Sequence, residues 1–262
     1  MSDLQFASLG SGSKGNGTLI EADGTMILVD CGFSMRETER RLQRLSRSVE
    51  QVTALLVTHE HGDHVSGVKS LAKKYKIPVW SSRGTAKAAK LDELETLGRW
   101  HCIDIHQSFE INAIQIQPIP VPHDAKEPCQ FIFSDGDWRV GVLTDTGSIT
   151  TYIEEQYSGC DAFILEANHD QEMLAQSAYP NSLKRRVGGN FGHLNNGQAK
   201  DLLNKIDISK LQYLVASHIS DKNNTVALAR DKMSEALDFD PSWIHVASQD
   251  EGLNWCKLRH QL

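Results

Sequence analysis

Apolar positions in the first third of the chain fall into short runs separated by tight polar turns, a pattern that predicts strands. Leu4 to Leu9 is followed by a Gly/Ser loop, Gly10 to Gly17. Thr18 to Glu21 and Thr25 to Asp30 are then separated by Ala22-Asp23-Gly24, whose Asp-Gly pair predicts a hairpin. From Ser34 to Val49 the period becomes helical, with Leu42, Leu45 and Val49 on one stripe and Arg36, Arg40, Arg44 and Arg47 largely on another. Ala54 to Thr58 is an apolar strand running straight into a histidine cluster, and a helix over Val65 to Tyr75 leaves it.

The second half repeats this style. Asn112 to Pro120, Phe131 to Ser134 and Trp138 to Leu143 read as strands, the last two joined by Asp135-Gly136. Asp161 to Leu165 is a short buried strand, followed by a helix over Asn196 to Ile206, a strand over Leu211 to Ser217 and a helix over Thr225 to Ala236. Ile244 to Val246 and Leu253 to Leu258 close the chain as strands. Strand clusters followed by helices, twice over, imply two sheets packed together with helices outside. The 262 residues contain no low-complexity stretch and no linker rich in Pro, Gly and Ser, so one domain over 1–262 is expected.

Composition narrows the setting. Hydrophobic content of 40% and charged content of 23% are ordinary for a globular chain. No apolar run approaches the ~20 residues that span a bilayer, and Met1 to Gly10 lacks the pattern of a signal peptide, so no membrane association is expected. Five scattered cysteines, Cys31, Cys102, Cys129, Cys160 and Cys256, form no CxxC pair and point to reduced thiols in the cytoplasm. A net charge of −7 means that a nucleic-acid substrate would need local positive charge from metals or basic patches.

Two motifs invite a chemical reading. Gly10-Ser11-Gly12-Ser13-Lys14-Gly15 satisfies GxGxxG after a strand, but a dinucleotide fingerprint requires a helix next and Asn16 to Asp30 reads as a hairpin. A structural turn is the expectation there. The run His59-Glu60-His61-Gly62-Asp63-His64 is different in kind, because imidazole and carboxylate ligands suit Zn²⁺, Mn²⁺ or Fe. His59 and His61, two apart in an extended segment, point the same way and can share one ion. Asp63 and His64 can reach a second after the turn at Gly62, where a glycine permits angles that a residue with Cβ resists. Four ligands do not complete two sites. His123, Asp145 and His218, each just after a predicted strand, are the candidates to complete them, although singly each fits a surface or capping role equally well.

With these residues in view, the chain resembles the metallo-β-lactamase fold superfamily. Asp30 is similar to its first motif, His59, His61, Asp63 and His64 to its second, His123 to its third, Asp145 to its fourth and His218 to its fifth. Ser8 to Gly17, Thr58 to His64, Glu166 to Asp170, Tyr179-Pro180, Gly192-His193-Leu194 and Asn223-Asn224 resemble the YycJ/WalJ group of exonucleases, thought to act on DNA from the 5′ end. The resemblance implies an α+β fold, a four-layer αββα sandwich. It also implies that His59, His61 and His123 hold one ion, that Asp63, His64 and His218 hold the other, and that Asp145 bridges them. Asp30 would then accept from a ligand imidazole or hold the cluster loop.

Two divalent ions ~3.5–4 Å apart would bridge a hydroxide that attacks phosphorus, with Asp63 beside it. His193 is the candidate acid for the leaving oxygen, because in tRNA-processing nucleases of this fold a comparable His is paired with a Glu in a motif that Leu165-Glu166-Ala167-Asn168 resembles. Expected substrate contacts are Asn16, His169 and Asn223 together with Lys184 and Arg185, the basic segment preceding Gly192-His193. The leading expectation is a dinuclear phosphodiesterase acting 5′ to 3′ on single-stranded DNA ends. A small-molecule hydrolase of the same fold, acting on a cyclic phosphodiester, lactone or thioester, is the alternative, and a metal-binding scaffold without catalysis is the third reading. Oligomeric state is not legible from the chain.

Overall fold

The computed structural model describes residues 4–237 and 240–260. Its strands are β1 (Gln5–Gly10), β2 (Gly17–Ala22), β3 (Thr25–Val29), β4 (Ala54–Val57), β5 (Val79–Ser81), β6 (Trp100–Cys102), β7 (Phe109–Ile111), β8 (Ile114–Pro120), β9 (Cys129–Ser134), β10 (Arg139–Leu143), β11 (Ala162–Glu166), β12 (Tyr213–Ser217), β13 (His245–Val246) and β14 (Leu253–Lys257). They form two seven-stranded sheets, in the orders β14-β1-β2-β3-β4-β5-β6 and β13-β12-β11-β10-β9-β8-β7.

Each sheet changes character along its width. The first is antiparallel from β14 to β3 and parallel from β3 to β6. The second is antiparallel from β7 to β10 and parallel from β10 to β13. Parallel neighbours need crossovers, and helices supply them: Met35–Arg44, Val68–Tyr75 and Arg83–Ala89 in the first half, Thr151–Tyr157, Asn196–Lys205 and Val226–Ser234 in the second. The β2–β3 hairpin forms as predicted. Asp23 and Gly24 both take positive φ, 46° and 73°, the geometry that a two-residue Asp-Gly turn accommodates.

Alternation along the strands assigns side chains to layers. Ile27, Val29 and Leu56 face Ile116, Phe131, Phe133, Val140, Val142 and Ile164 between the sheets. On the outer face of the first sheet, Met26, Leu28, Leu55 and Val57 pack beneath Leu42, Leu71, Ala72 and Ala86 of the helices. Phe163, Leu165, Leu214 and Ala216 do the same beneath Tyr157, Leu202, Leu203 and Met233. The result is the expected αββα sandwich, with each buried large aliphatic or aromatic side chain contributing about 2 kcal/mol.

Local expectations are corrected in several places. The helix predicted over Ser34 to Val49 spans Met35–Arg44 and stops where Ser46 turns left-handed at φ 56°. The helix predicted over Val65 to Tyr75 is split into Gly62–Val65 and Val68–Tyr75. Strands β5, β6 and β7, of three residues each, are too short to show a period and were not anticipated. Two short helices, Gln171–Gln176 and Asn181–Val187, were likewise not foreseen, and the second buries none of its residues.

No helix among the described residues is long and apolar enough to cross a membrane. The five cysteines are unpaired, and only Cys102 is exposed. Burial pushes the thiols of Cys31, Cys160 and Cys256 up to about 11, as expected of small core residues.

Candidate metal centre

The carboxyl ends of β3, β4, β10, β11 and β12 gather at one edge of the sandwich, between the two sheets. At three of these ends the chain leaves the strand through a left-handed residue that is not glycine: Asp30 at φ 60°, Asp145 at 50° and His218 at 52°. Such conformations cost free energy and persist where the surroundings fix them. Here Asp145 and His218 meet, His218 Nδ1 lying 3.3 Å from Asp145 Oδ1, and Asp30 reaches them through His64.

The cluster loop hangs from Asp30. Asp30 Oδ1 accepts from Thr58 N at 2.9 Å, and Oδ2 accepts from Thr58 Oγ1 at 2.8 Å. The same Oδ2 lies 2.7 Å from His64 Nδ1, which leaves Nε2 of that ring facing the centre. Thr58 Oγ1 in turn orients His59 through Nδ1 at 2.9 Å. His61 caps the short helix Gly62–Val65, so Asp63 and His64 follow on its first turn. Gly62 itself is not left-handed, and a Cβ there would meet nothing closer than 3.8 Å, so the conformational freedom expected of it is not used. The indispensable glycine is Gly32, where a Cβ would come within 1.7 Å of the Asp63 carbonyl oxygen.

Seven side chains meet here. Ring nitrogens of His59, His61 and His123 form one group within 4.8 Å of each other, Asp63, His64 and His218 form a second, and Asp145 joins His59 and His64 in a third. His59 Nε2 lies 3.1 Å from His61 Nδ1, and His123 Nε2 lies 3.3 Å from the same atom. Asp145 Oδ2 lies 3.3 Å from His64 Nε2, and His218 Nε2 lies 3.7 Å from Asp63 Oδ2. Asp145 Oδ2 and His218 Nε2 are buried and make no hydrogen bond. Buried polar atoms are ordinarily satisfied, so these two unpartnered atoms amid crowded imidazoles and carboxylates suit a shared cation. The donor set of imidazole and carboxylate suits a divalent one.

Charge is distributed accordingly. Burial opposes ionisation of Asp145, yet the imidazoles of His218 and His64 hold its carboxyl well below the usual range. Burial likewise opposes protonation of His64, and the carboxylates of Asp145 and Asp30 override it and raise its pKa. His59 faces other imidazoles, and burial together with His64 lowers its pKa.

Beside this cluster stands a second constellation. His193 Nδ1 lies 2.7 Å from Oε1 of Glu166, at the end of β11. Glu166 is fully buried, and its Oε2 accepts from Thr146 N at 3.2 Å and Leu194 N at 3.1 Å. Burial lowers the affinity of His193 for a proton, but the Glu166 carboxylate, with Asp145 behind it, outweighs burial and raises its pKa. Glu166 Oε1 also lies 3.1 Å from His218 Nδ1, a contact that sequence reasoning missed. Only the adjacency of β11 and β12 reveals it. His193 is held in place from both sides. The Asn195–Gln198 capping box starts the next helix, and Gly147 lies so close to the backbone of 190–192 that a Cβ would approach to 2.4 Å. Gly192 O in turn lies 3.0 Å from His123 Nδ1.

The candidate substrate contacts divide. A pocket of about 370 Å³ opens over the cluster, and Asn223 lines it together with His193 and Asp63. Asn16 does not. It is buried beneath the cluster loop, where its Nδ2 donates to Asp63 Oδ2 at 3.2 Å and its Oδ1 accepts from Gly12 N at 2.8 Å. His169 does not line the pocket either, because it is 1% exposed with its ring beneath Gly188, and burial lowers its pKa to about 4. Lys184 and Arg185 also fail to line it. On the helix Asn181–Val187 the pocket face carries Leu183, Arg186 and Val187, and Lys184 turns away to donate to Ala175 O. Arg186, not selected from the sequence, reaches Asp124 through Nε at 2.5 Å.

Two arginines of Met35–Arg44 brace the backbone at 8–9 and at 249. Arg41 is buried and donates to Leu9 O and Gln249 O, while Arg44 donates to Ser8 O. The Gly10–Gly15 loop is a turn, closed by Gly15 N to Gly12 O at 3.1 Å and followed by β2, with Ser13 at the pocket rim.

A family model described as the beta-lactamase superfamily domain matches residues 25–219. Exodeoxyribonuclease YycJ of Bacillus anthracis is 32% identical over 237 residues, covering 90% of this chain and 89% of the relative. Exodeoxyribonuclease WalJ of Streptococcus pneumoniae is 31% identical over 239 residues, covering 89% and 88%. Among solved structures, the metallo-β-lactamase fold protein YhfI of Bacillus subtilis aligns over 98% of this chain and 100% of its own, with a TM-score of 0.74 at 14% identity.

Proposed function

The chain belongs to the metallo-β-lactamase superfamily and is a metal-dependent hydrolase; on that premise we propose that it is a dinuclear phosphodiesterase that removes nucleotides from the 5′ end of single-stranded DNA. The relatives named exodeoxyribonuclease support the substrate class. The observation that carries the chemistry is the pair His193–Glu166 at 2.7 Å beside the metal cluster.

His59, His61 and His123 would hold one divalent ion, Asp63, His64 and His218 the other, with Asp145 between them. Zn²⁺, Mn²⁺ and Fe all suit these donors. When bound, the ions supply Lewis acidity, activating water and neutralising phosphate charge. The protein's own residues do the rest. Glu166 accepts from Nδ1–H of His193 and favours the imidazolium, whose second proton, on Nε2, is then available to protonate a departing alkoxide. A leaving group as basic as a sugar oxygen needs such an acid. Glu166 also orients His218, so one buried carboxylate serves both constellations.

Arg186 stands at the pocket with a side chain 60% exposed and anchored on Asp124, suited to a backbone phosphate. Arg186→Ala is expected to raise KM severalfold and to reduce the slope of log binding against log salt by about 1. Lys184→Ala and Arg185→Ala should leave that slope within error of the parent. The reverse ranking in a salt titration would return the substrate contact to Lys184 and Arg185.

End-labelled single- and double-stranded DNA and RNA, assayed with Zn²⁺, Mn²⁺ and Mg²⁺, test the whole reading. A 5′ label on single-stranded DNA should be released first, as a mononucleotide. If the protein cleaves no phosphodiester, bis-p-nitrophenyl phosphate included, the proposal fails. Cleavage of cyclic phosphodiesters without any strand would favour the small-molecule alternative.

A further inference from the structure

Between Glu166 and His193 the chain makes an excursion, the arm 171–192, whose helix Asn181–Val187 buries none of its residues. The arm presents Tyr179, Leu183 and Val187 to the pocket above the metal cluster. An apolar wall has no role in holding phosphate. Nor does this one complete the core, since all three side chains are only partly buried. Facing the same pocket is Asn223, 1% exposed, whose Oδ1 has no hydrogen-bond partner. A buried acceptor left unpaired is costly, and this one belongs to a residue that lines the space beside the apolar wall.

Taking the nuclease reading as its basis, we infer that this wall is the binding site for the terminal nucleobase of the strand. The base stacks on Tyr179 against Leu183 and Val187, and one of its N–H groups donates to Asn223 Oδ1. All four DNA bases carry an N–H on the Watson–Crick edge, so the site requires a base without selecting among bases. A terminal base whose Watson–Crick edge donates to Asn223 must leave its duplex partner, which makes this contact a cause of single-strand preference. The pocket volume, about 370 Å³, suits one nucleotide rather than a stacked run. Lys222 lies over the Tyr179 ring at 5.7 Å and adds positive charge beside it.

The test compares a single strand carrying a normal 5′-terminal nucleotide with one whose terminal residue is abasic, read as kcat/KM for the first release. The wild-type protein should process the abasic end about tenfold more slowly, the stacking contribution of one base. Tyr179→Ala should lower kcat/KM about tenfold on the normal end and erase the difference between ends. Tyr179→Phe should preserve that difference. A wild-type protein that treats both ends alike, or a Tyr179→Ala protein that slows both equally, overturns the inference.

A second measurement is independent of turnover and of any variant. Fluorescence of a 5′-terminal 2-aminopurine should be quenched on titration with chelator-treated wild-type protein, and quenching should fall when the probe is moved to the third position. Equal quenching at both positions, or none, overturns the wall. If no strand is cleaved at all, the nuclease reading fails, while the fluorescence result still decides whether a terminal base binds here.

Discussion

Replacing Asp145 with alanine is expected to release bound metal and to lower phosphodiester hydrolysis on the order of 10³-fold or more. Asp145 is 2% exposed, its Oδ2 makes no hydrogen bond, and it stands within reach of donors from both halves of the cluster. On the proposed two-ion reading, removing it takes the one carboxylate common to both ion positions. Three readouts should move together: metal content after dialysis, turnover, and the rise in Tm that added Zn²⁺ gives a protein binding it only when folded. His61→Ala should behave similarly but retain part of the Tm response, because His61 belongs to one group alone. Full metal content with retained turnover in the Asp145 variant would refute the ligand assignment.

The second large effect is expected at His193. His193→Ala should keep both ions and slow hydrolysis about 10²- to 10⁴-fold, the usual contribution of a positioned general acid. The loss should grow with the basicity of the leaving group. It should be small for p-nitrophenolate, which departs without a proton, and large for a nucleotide oxygen. An equal loss across leaving groups would count against the acid role. Glu166→Gln makes a sharper companion variant, because Glu166 touches both His193 and His218. It should slow the chemistry and also weaken metal affinity about 10- to 100-fold, as loss of a carboxylate supporting a ligand imidazole does. Metal affinity unchanged in that variant would show that the contact to His218 does not support the centre.

Much of this centre was legible before any coordinates. The run His59 to His64 is a local pattern, and local patterns survive in sequence. The candidates at His123, Asp145 and His218 were found because each follows an apolar strand, and the resemblance grouped them. The pairing of Glu166 with His193 also rested on resemblance, and the structure brings the two together. The structure departs from expectation where a side chain's direction matters more than its position. Lys184 and Arg185 were chosen for charge near Gly192, yet helical geometry puts Arg186 on the pocket face instead. Asn16 and His169 lie close to the centre along the chain's motifs, but burial places one beneath the cluster loop and the other beneath Gly188. The turn at Gly62 is the expected place for a glycine's freedom, whereas in the cluster loop it is Gly32 that lacks room for a Cβ.

The sequence by itself determined the sandwich, because alternating and continuous apolar runs specify which faces are buried, and it pointed to the candidate donors, because imidazole and carboxylate side chains are the ordinary ligands of such divalent ions. Only the tertiary structure decided how those donors meet. Left-handed turns at Asp30, Asp145 and His218, close approach at Gly32 and Gly147, and the adjacency of β11 and β12 depend on contacts between residues far apart in the chain. The run His59 to His64 supplies part of the centre. The remainder is assembled by the ends of strands in both sheets, and the pocket above it is walled by an arm whose pocket-facing side no local pattern announces.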